Sequence, residues 1–202
     1  MLVIVDYGVG NLFSLKSSFA FIGEEAVVSG DKDIIESADR IILPGVGAFA
    51  DAIKKLRDTG LDKVVCDCAA KGTPIMGICL GMQLLFETSK EYGEHKGLGL
   101  IKGDIVPMEG AIPADLKIPH IGWNALHFTK DNELFRYIKN GDHVYFVHSF
   151  YAADCEDSVI ATSEYGAELT AAVANGNIYG CLFHPEKSGS VGLSILKAFA
   201  EI

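Results

Sequence analysis

Four short apolar runs, Leu2 to Val5, Ala26 to Val28, Arg40 to Leu43 and Pro74 to Ile78, fall at intervals through the first eighty residues. Segments of helical period lie between them, around residues 12–22, 31–38 and 50–70. Runs this short and this rich in Val and Ile are strands buried on both faces, and strands alternating with helices predict a parallel α/β sheet. In such sheets, sites form beyond the carboxyl ends of the strands.

After residue 95 the pattern changes. Leu100–Val106, Pro119–Phe128, His143–Phe150, Val159–Ser163, Ala171–Ala174 and Ile178–Phe183 read as strands. Hairpins are expected at the loops carrying Gly110, Asn140-Gly141, Asp154 to Asp157 and Asn175-Gly176. A helix from Val191 to Ile202, with Val191, Ile195, Leu196 and Phe199 on one face, is expected to close the fold. Absence of a repeat or long linker predicts a single domain over residues 1–202.

Composition narrows the function classes. Seventeen Lys and Arg against twenty-seven Asp and Glu give a net charge of −10, which repels nucleic acid. The start, Met1 to Asn11, has no basic segment, and its apolar run Leu2 to Val5 is interrupted by Asp6, so neither a signal peptide nor a membrane span is expected. Five cysteines without framework spacing fit a reducing cytoplasm. Cys66 and Cys68 are two apart on a helix, so they face apart. His95, His127 and His143 lack a partner at ligand spacing, and no metal is expected.

The chemistry concentrates after the strands. Gly77-Ile78-Cys79-Leu80-Gly81 follows the fourth apolar run and precedes a helix-forming stretch, Met82 to Glu87. Glycines two positions either side of a nucleophile permit a sharp strand-to-helix turn that exposes its side chain. The helix start beyond it favours negative charge on that side chain. The competing reading is a buried, inert cysteine. His184-Pro185-Glu186 ends the last apolar run; His184 suits a general base, and Glu186 could hold its tautomer. Pro44-Gly45-Val46-Gly47 follows the third run, where its backbone N–H groups, with that of Leu80, could meet an oxyanion; an ordinary turn is the alternative.

Together, Pro44 to Gly47, Gly77 to Gln83 and His184 to Glu186 resemble the oxyanion strand, elbow and His-x-Glu pair of class I (triad) glutamine amidotransferases. Asp6-Tyr7-Gly8-Val9-Gly10-Asn11, Pro119 to Asn124, Tyr145 to Phe150 and His184 to Gly189 are similar to the branch of that class serving imidazole glycerol phosphate synthesis. The resemblance implies a flavodoxin-like open sheet, mostly parallel, with an antiparallel β-rich C-terminal half. It also implies a Cys79, His184, Glu186 triad, oxyanion donors at Gly47 and Leu80, and glutamine contacts at Gly45, Gln83, His148, Ser149 and Phe150. No cofactor is implied. The implied partner is a (β/α)8 cyclase subunit in a heterodimer, met through Trp123, Tyr145 and Lys187, which receives the ammonia. Sister glutaminases serving other pathways, a paralogue feeding a surface-sugar synthase, a non-catalytic regulatory partner and a hydrolase of other amides are the competing readings.

Overall fold

The computed structural model describes residues 1–202. Its elements in chain order are β1 (Leu2–Val5), α1 (Leu12–Phe21), β2 (Ala26–Ser29), α2 (Lys32–Glu36), β3 (Arg40–Leu43), α3 (Phe49–Asp58), α4 (Leu61–Ala70), β4 (Ile75–Ile78), α5 (Leu80–Leu84) and β5 (Phe86–Ser89). Then come β6 (His95–Lys96), β7 (Ile101–Pro107), β8 (His120–Ala125), β9 (His127–Phe128), β10 (His143–His148), β11 (Phe150–Ala153), β12 (Val159–Glu164), β13 (Glu168–Asn175), β14 (Ile178–Cys181) and α6 (Gly189–Ala200).

The main sheet has eight strands in the order β2-β1-β3-β4-β14-β13-β12-β9. Its first five are mutually parallel and the rest antiparallel, as the sequence predicts. Strands β1, β3, β4 and β14 supply fully or nearly fully buried Val, Ile and Leu side chains to one continuous core of 54 residues. This explains their apolar runs: with both faces covered, only Arg40 at the start of β3 is partly exposed. Two smaller sheets, β10-β8 and β11-β7-β5-β6, pack against the antiparallel half of the main sheet through β12 and β13.

The structure corrects the sequence reading in five places. The helix expected over 50–70 is two helices, broken at Gly60, whose φ of +72° a β-carbon disfavours. The elbow helix expected over Met82 to Glu87 instead covers Leu80–Leu84, and Phe86–Ser89 is a strand. The carbonyls that would continue that helix are taken from outside: Leu84 O accepts from Leu98 N–H, Leu85 O from Leu100 N–H and Phe86 O from Gly99 N–H. His143–Phe150 is split at Ser149, with β10 and β11 joining different sheets, and Pro119–Phe128 is split at Leu126, with β8 and β9 joining different sheets. Of the four loops expected to form hairpins, only Asn175-Gly176 joins paired antiparallel neighbours, β13 and β14. A second hairpin, β12–β13, turns at Tyr165-Gly166.

Candidate active site

Register brings three loops together. Leu43 pairs with Gly77 across β3 and β4, and Ile78 pairs with Cys181 across β4 and β14. The chain therefore leaves these three parallel strands side by side at Pro44, Cys79 and Leu182.

Cys79 has φ +54° and ψ −113°, a left-handed conformation that costs a non-glycine residue about 1–3 kcal/mol. Its N–H donates to Cys181 O at 2.7 Å, so the strain is held by the sheet itself. The flanking glycines are steric necessities. A β-carbon on Gly81 would lie 1.8 Å from Leu43 O, and one on Gly77 would lie 2.6 Å from Gly81 O. Gly45 is wedged likewise, its missing β-carbon 2.6 Å from Gly81 N. The elbow and the Pro44–Gly47 loop are thus packed backbone to backbone.

His184 is 2% exposed and its Nδ1–H donates to Glu186 Oε1 at 2.8 Å, leaving Nε2 for Cys79. Glu186 is buried, and no protein group meets its Oε2. Burial alone would depress the imidazole. Hydrogen bonding to Cys79 and Glu186, with their negative charge, outweighs it and raises the value to about 9. The fold therefore favours the protonated ring. Its contribution to stability is complete below the ordinary value of 6.5 and is lost as pH rises through about 9.

A cavity of about 360 Å³ opens over this pair, lined by Val46, Gly47, Cys79, Leu80, Gln83, Glu91, Tyr92, Pro119, Val147, His148, Ser149, Phe150, His184 and Lys187. Residues named from the sequence are brought together here, with three kinds of exception. Gly45 lies beneath the cavity as a packing residue, and Glu186 stands behind His184. Trp123 and Tyr145 lie outside, on the paired strands β8 and β10, with ring centroids 6.0 Å apart. Trp123 is 52% exposed beside Ile121 at 60%, and its ring reaches towards Gly189 at the start of α6.

The N–H groups of Val46, Gly47 and Leu80 have no protein acceptor. Leu80 follows Cys79 in the chain and Gly47 lines the same cavity; Gly47 has φ +90° with open space where a β-carbon would sit. His148 is committed internally. Its Nδ1–H donates to Phe150 O at 3.0 Å, and its Nε2 meets His120 Nδ1 at 3.0 Å. Burial pushes it down to about 4, so its ring works as a neutral clamp on the Ser149–Phe150 turn.

Glu91 escaped the sequence reading. It is 9% exposed, its Oε2 accepts from Phe49 N–H at 2.8 Å at the start of α3, and its carboxylate borders the cavity. No motif marks it; Ser89 to Glu94 reads as an ordinary polar turn. His127, expected without a carboxylate partner, meets Glu168 at 3.3 Å on the surface, from a strand distant in sequence. No three His, Cys, Asp or Glu side chains converge as metal ligands, and no helix is long and apolar enough to cross a membrane.

A strained cysteine at a strand-to-helix turn, with a histidine backed by a buried carboxylate lining the same cavity, has the arrangement that nucleophile–base–orienter chemistry needs. The family model "Glutamine amidotransferase class-I" matches residues 3–201, and the chain belongs to that family. Among solved structures, a glutamine amidotransferase superposes with TM-score 0.77 at 21% identity, covering 98% of this chain and 97% of that one. PurLQS from Thermotoga maritima gives 0.76 at 20%, covering 99% and 97%; both show the fold. Curated relatives narrow the class. The chain is 48% identical to imidazole glycerol phosphate synthase subunit HisH of Geobacillus sp. (strain WCH70), covering 100% of this chain and 97% of that protein. It is 49% identical to HisH of Sulfurimonas denitrificans, covering 100% and 98%, and 47% to HisH of Lactococcus lactis, covering 99% and 98%. Within the class, the chain is a member of the HisH family.

Proposed function

We propose that this chain, as one amidotransferase domain over residues 1–202, hydrolyses glutamine with Cys79 as nucleophile and supplies the ammonia to a cyclase subunit (HisF). That partner, a (β/α)8 barrel in a heterodimer, would form imidazole glycerol phosphate and AICAR ribonucleotide from phosphoribulosyl-formimino-AICAR ribonucleotide, in the cytoplasm. The convergence of strained Cys79 and His184 at one cavity, with buried Glu186 behind the imidazole, carries the reading of the chemistry. Full-length identity of nearly one half to HisH proteins supports the acceptor.

In this reading the Cys79 sulfur attacks the side-chain carbonyl carbon of glutamine. Charge moves to the carbonyl oxygen, where Gly47 and Leu80 N–H groups receive it. The C–N bond breaks as imidazolium His184 gives its proton to the nitrogen, and ammonia leaves a γ-glutamyl thioester. His184, now neutral, takes a proton from water; the hydroxide displaces Cys79 thiolate and frees glutamate. The site returns to its starting protonation. Gln83, Glu91 and the main chain of His148 to Phe150 suit the amino-acid end of the substrate, Glu91 as partner to its ammonium.

These roles set two expected outcomes. His184 must hold a proton for the departing nitrogen, so activity falls as pH rises through about 9. Glu186→Gln removes a charge that raises the imidazole, so this alkaline limb moves to lower pH and kcat drops about 10²- to 10⁴-fold. A pH–rate profile of both proteins checks it; an unmoved limb would detach Glu186 from the histidine. Trp123, with Tyr145 and Lys187, forms the proposed docking face. Trp123→Ala should weaken the complex by about 2 kcal/mol, roughly 30-fold in Kd, measured by titration calorimetry, and unchanged affinity would place the partner elsewhere.

The test of the whole reading is glutamate release by the chain alone, then with the cyclase subunit and its nucleotide substrate. Stimulation by partner and ligand is expected. A well-folded chain that releases no glutamate under either condition would refute it.

A further inference from the structure

The segment Asp6 to Asn11 carries no role in the chemistry above, yet it packs against Pro44, at the base of the loop that borders the site. β1 lies beside β3 in the sheet, so the turn after β1 meets the Pro44–Gly47 loop. Tyr7 is 4% exposed and its phenol donates to Pro44 O at 2.7 Å. On the other side of that proline, a β-carbon on Gly10 would lie 2.8 Å from Pro44 Cβ. Pro44 is thus gripped by its carbonyl and by its ring. The gripping turn is itself fixed: Asp6 N–H donates to Ser29 O at 2.9 Å, and Asp6 Oδ1 accepts from Gly8 N–H at 3.0 Å.

Beyond Pro44 the loop soon comes free of its neighbours. Gly45 is the last wedged residue; Val46 and Gly47 are exposed, and Gly47 has open space around its α-carbon. A peptide unit is planar, so holding the Pro44 carbonyl fixes the plane of the Pro44–Gly45 link and the direction in which the chain departs. That direction sets where the next N–H groups point.

We propose that Tyr7 is a positioning residue of the glutaminase reaction, its phenol orienting the Pro44–Gly45 peptide so that the loop beyond offers its N–H groups to the developing oxyanion. The proposal rests on the oxyanion reading of that loop given above. Tyr7 does not line the cavity, so it acts only through Pro44. Burial, with the charge of Cys79 nearby, pushes the phenol's ionisation well up, which keeps the donor proton in place.

The test separates reactions at one sulfur. Attack on glutamine passes through an oxyanion; alkylation of Cys79 by iodoacetamide displaces iodide at a saturated carbon and makes none. In the complex with the cyclase subunit, Tyr7→Phe should lower kcat for glutamine about ten- to a hundred-fold, with KM and the alkylation rate constant each within about twofold. Parallel loss of both reactions, or loss of neither, would overturn the role. Gly10→Ala, which presses Pro44 from its ring side, should give the same split and decides the matter if Tyr7→Phe does not fold. Wild-type complex that alkylates at Cys79 yet releases no glutamate would sink the glutaminase reading instead.

Discussion

Replacing Cys79 by alanine is expected to abolish glutamine hydrolysis, by about 10⁴-fold or more, while synthesis by the complex from free ammonia continues. The asymmetry follows from the proposed division of labour: on that reading the sulfur attacks glutamine in this chain, and the ammonia acceptor binds the partner subunit. Comparing glutamine-dependent and ammonia-dependent turnover of the same complex checks this, and loss of both would make Cys79 a structural residue. The backbone adds a second signature. Alanine keeps the β-carbon that φ +54° disfavours, whereas glycine releases it. Cys79→Gly should therefore be more stable than Cys79→Ala by about 1 kcal/mol.

Gly81→Ala is expected to have the largest structural effect of any single methyl group. The new carbon would fall 1.8 Å from the backbone carbonyl of Leu43, and no side-chain rotation relieves a backbone clash. The elbow must separate from β3, costing more than about 3 kcal/mol. In a domain of this size that corresponds to a fall of roughly 6–12 °C in Tm. Chemical and thermal unfolding measure it; a change under about 1 kcal/mol would show that elbow and loop are not in contact. Activity should fall with it, because Gly45, which begins the Val46–Gly47 turn, packs on the same surface.

The legible parts of this fold were those where local pattern and tertiary role coincide. β1 and β3 are buried on both faces, so their boundaries stand in the sequence as apolar runs. The elbow was legible for a steric reason: its glycines answer backbone atoms within a few residues and on the neighbouring strand. His184 and Glu186 are two residues apart, and their hydrogen bond is nearly local.

What was not legible depends on distant partners. The shortness of α5 is decided by Leu98 to Leu100, whose N–H groups take the carbonyls of Leu84 to Phe86; nothing in Met82 to Glu87 announces it. The split at Ser149 reflects two sheets competing for one run, with Met108 N–H donating to Ser149 O. Glu91 joins the site because α3 begins beside it, and Tyr7 because β1 neighbours β3. Each is a polar residue in a short turn whose partner lies tens of positions away.

The central claim is that Cys79, alone among the five cysteines, attacks the glutamine side chain. Its most direct test is to treat the complex with a diazoketone analogue of glutamine and map the modified residue by mass spectrometry. The account predicts one label per chain, on Cys79, with glutamine protecting and glutamate release lost in proportion. Loss of activity with the label on Cys66 or another cysteine, and Cys79 unmodified, would contradict it.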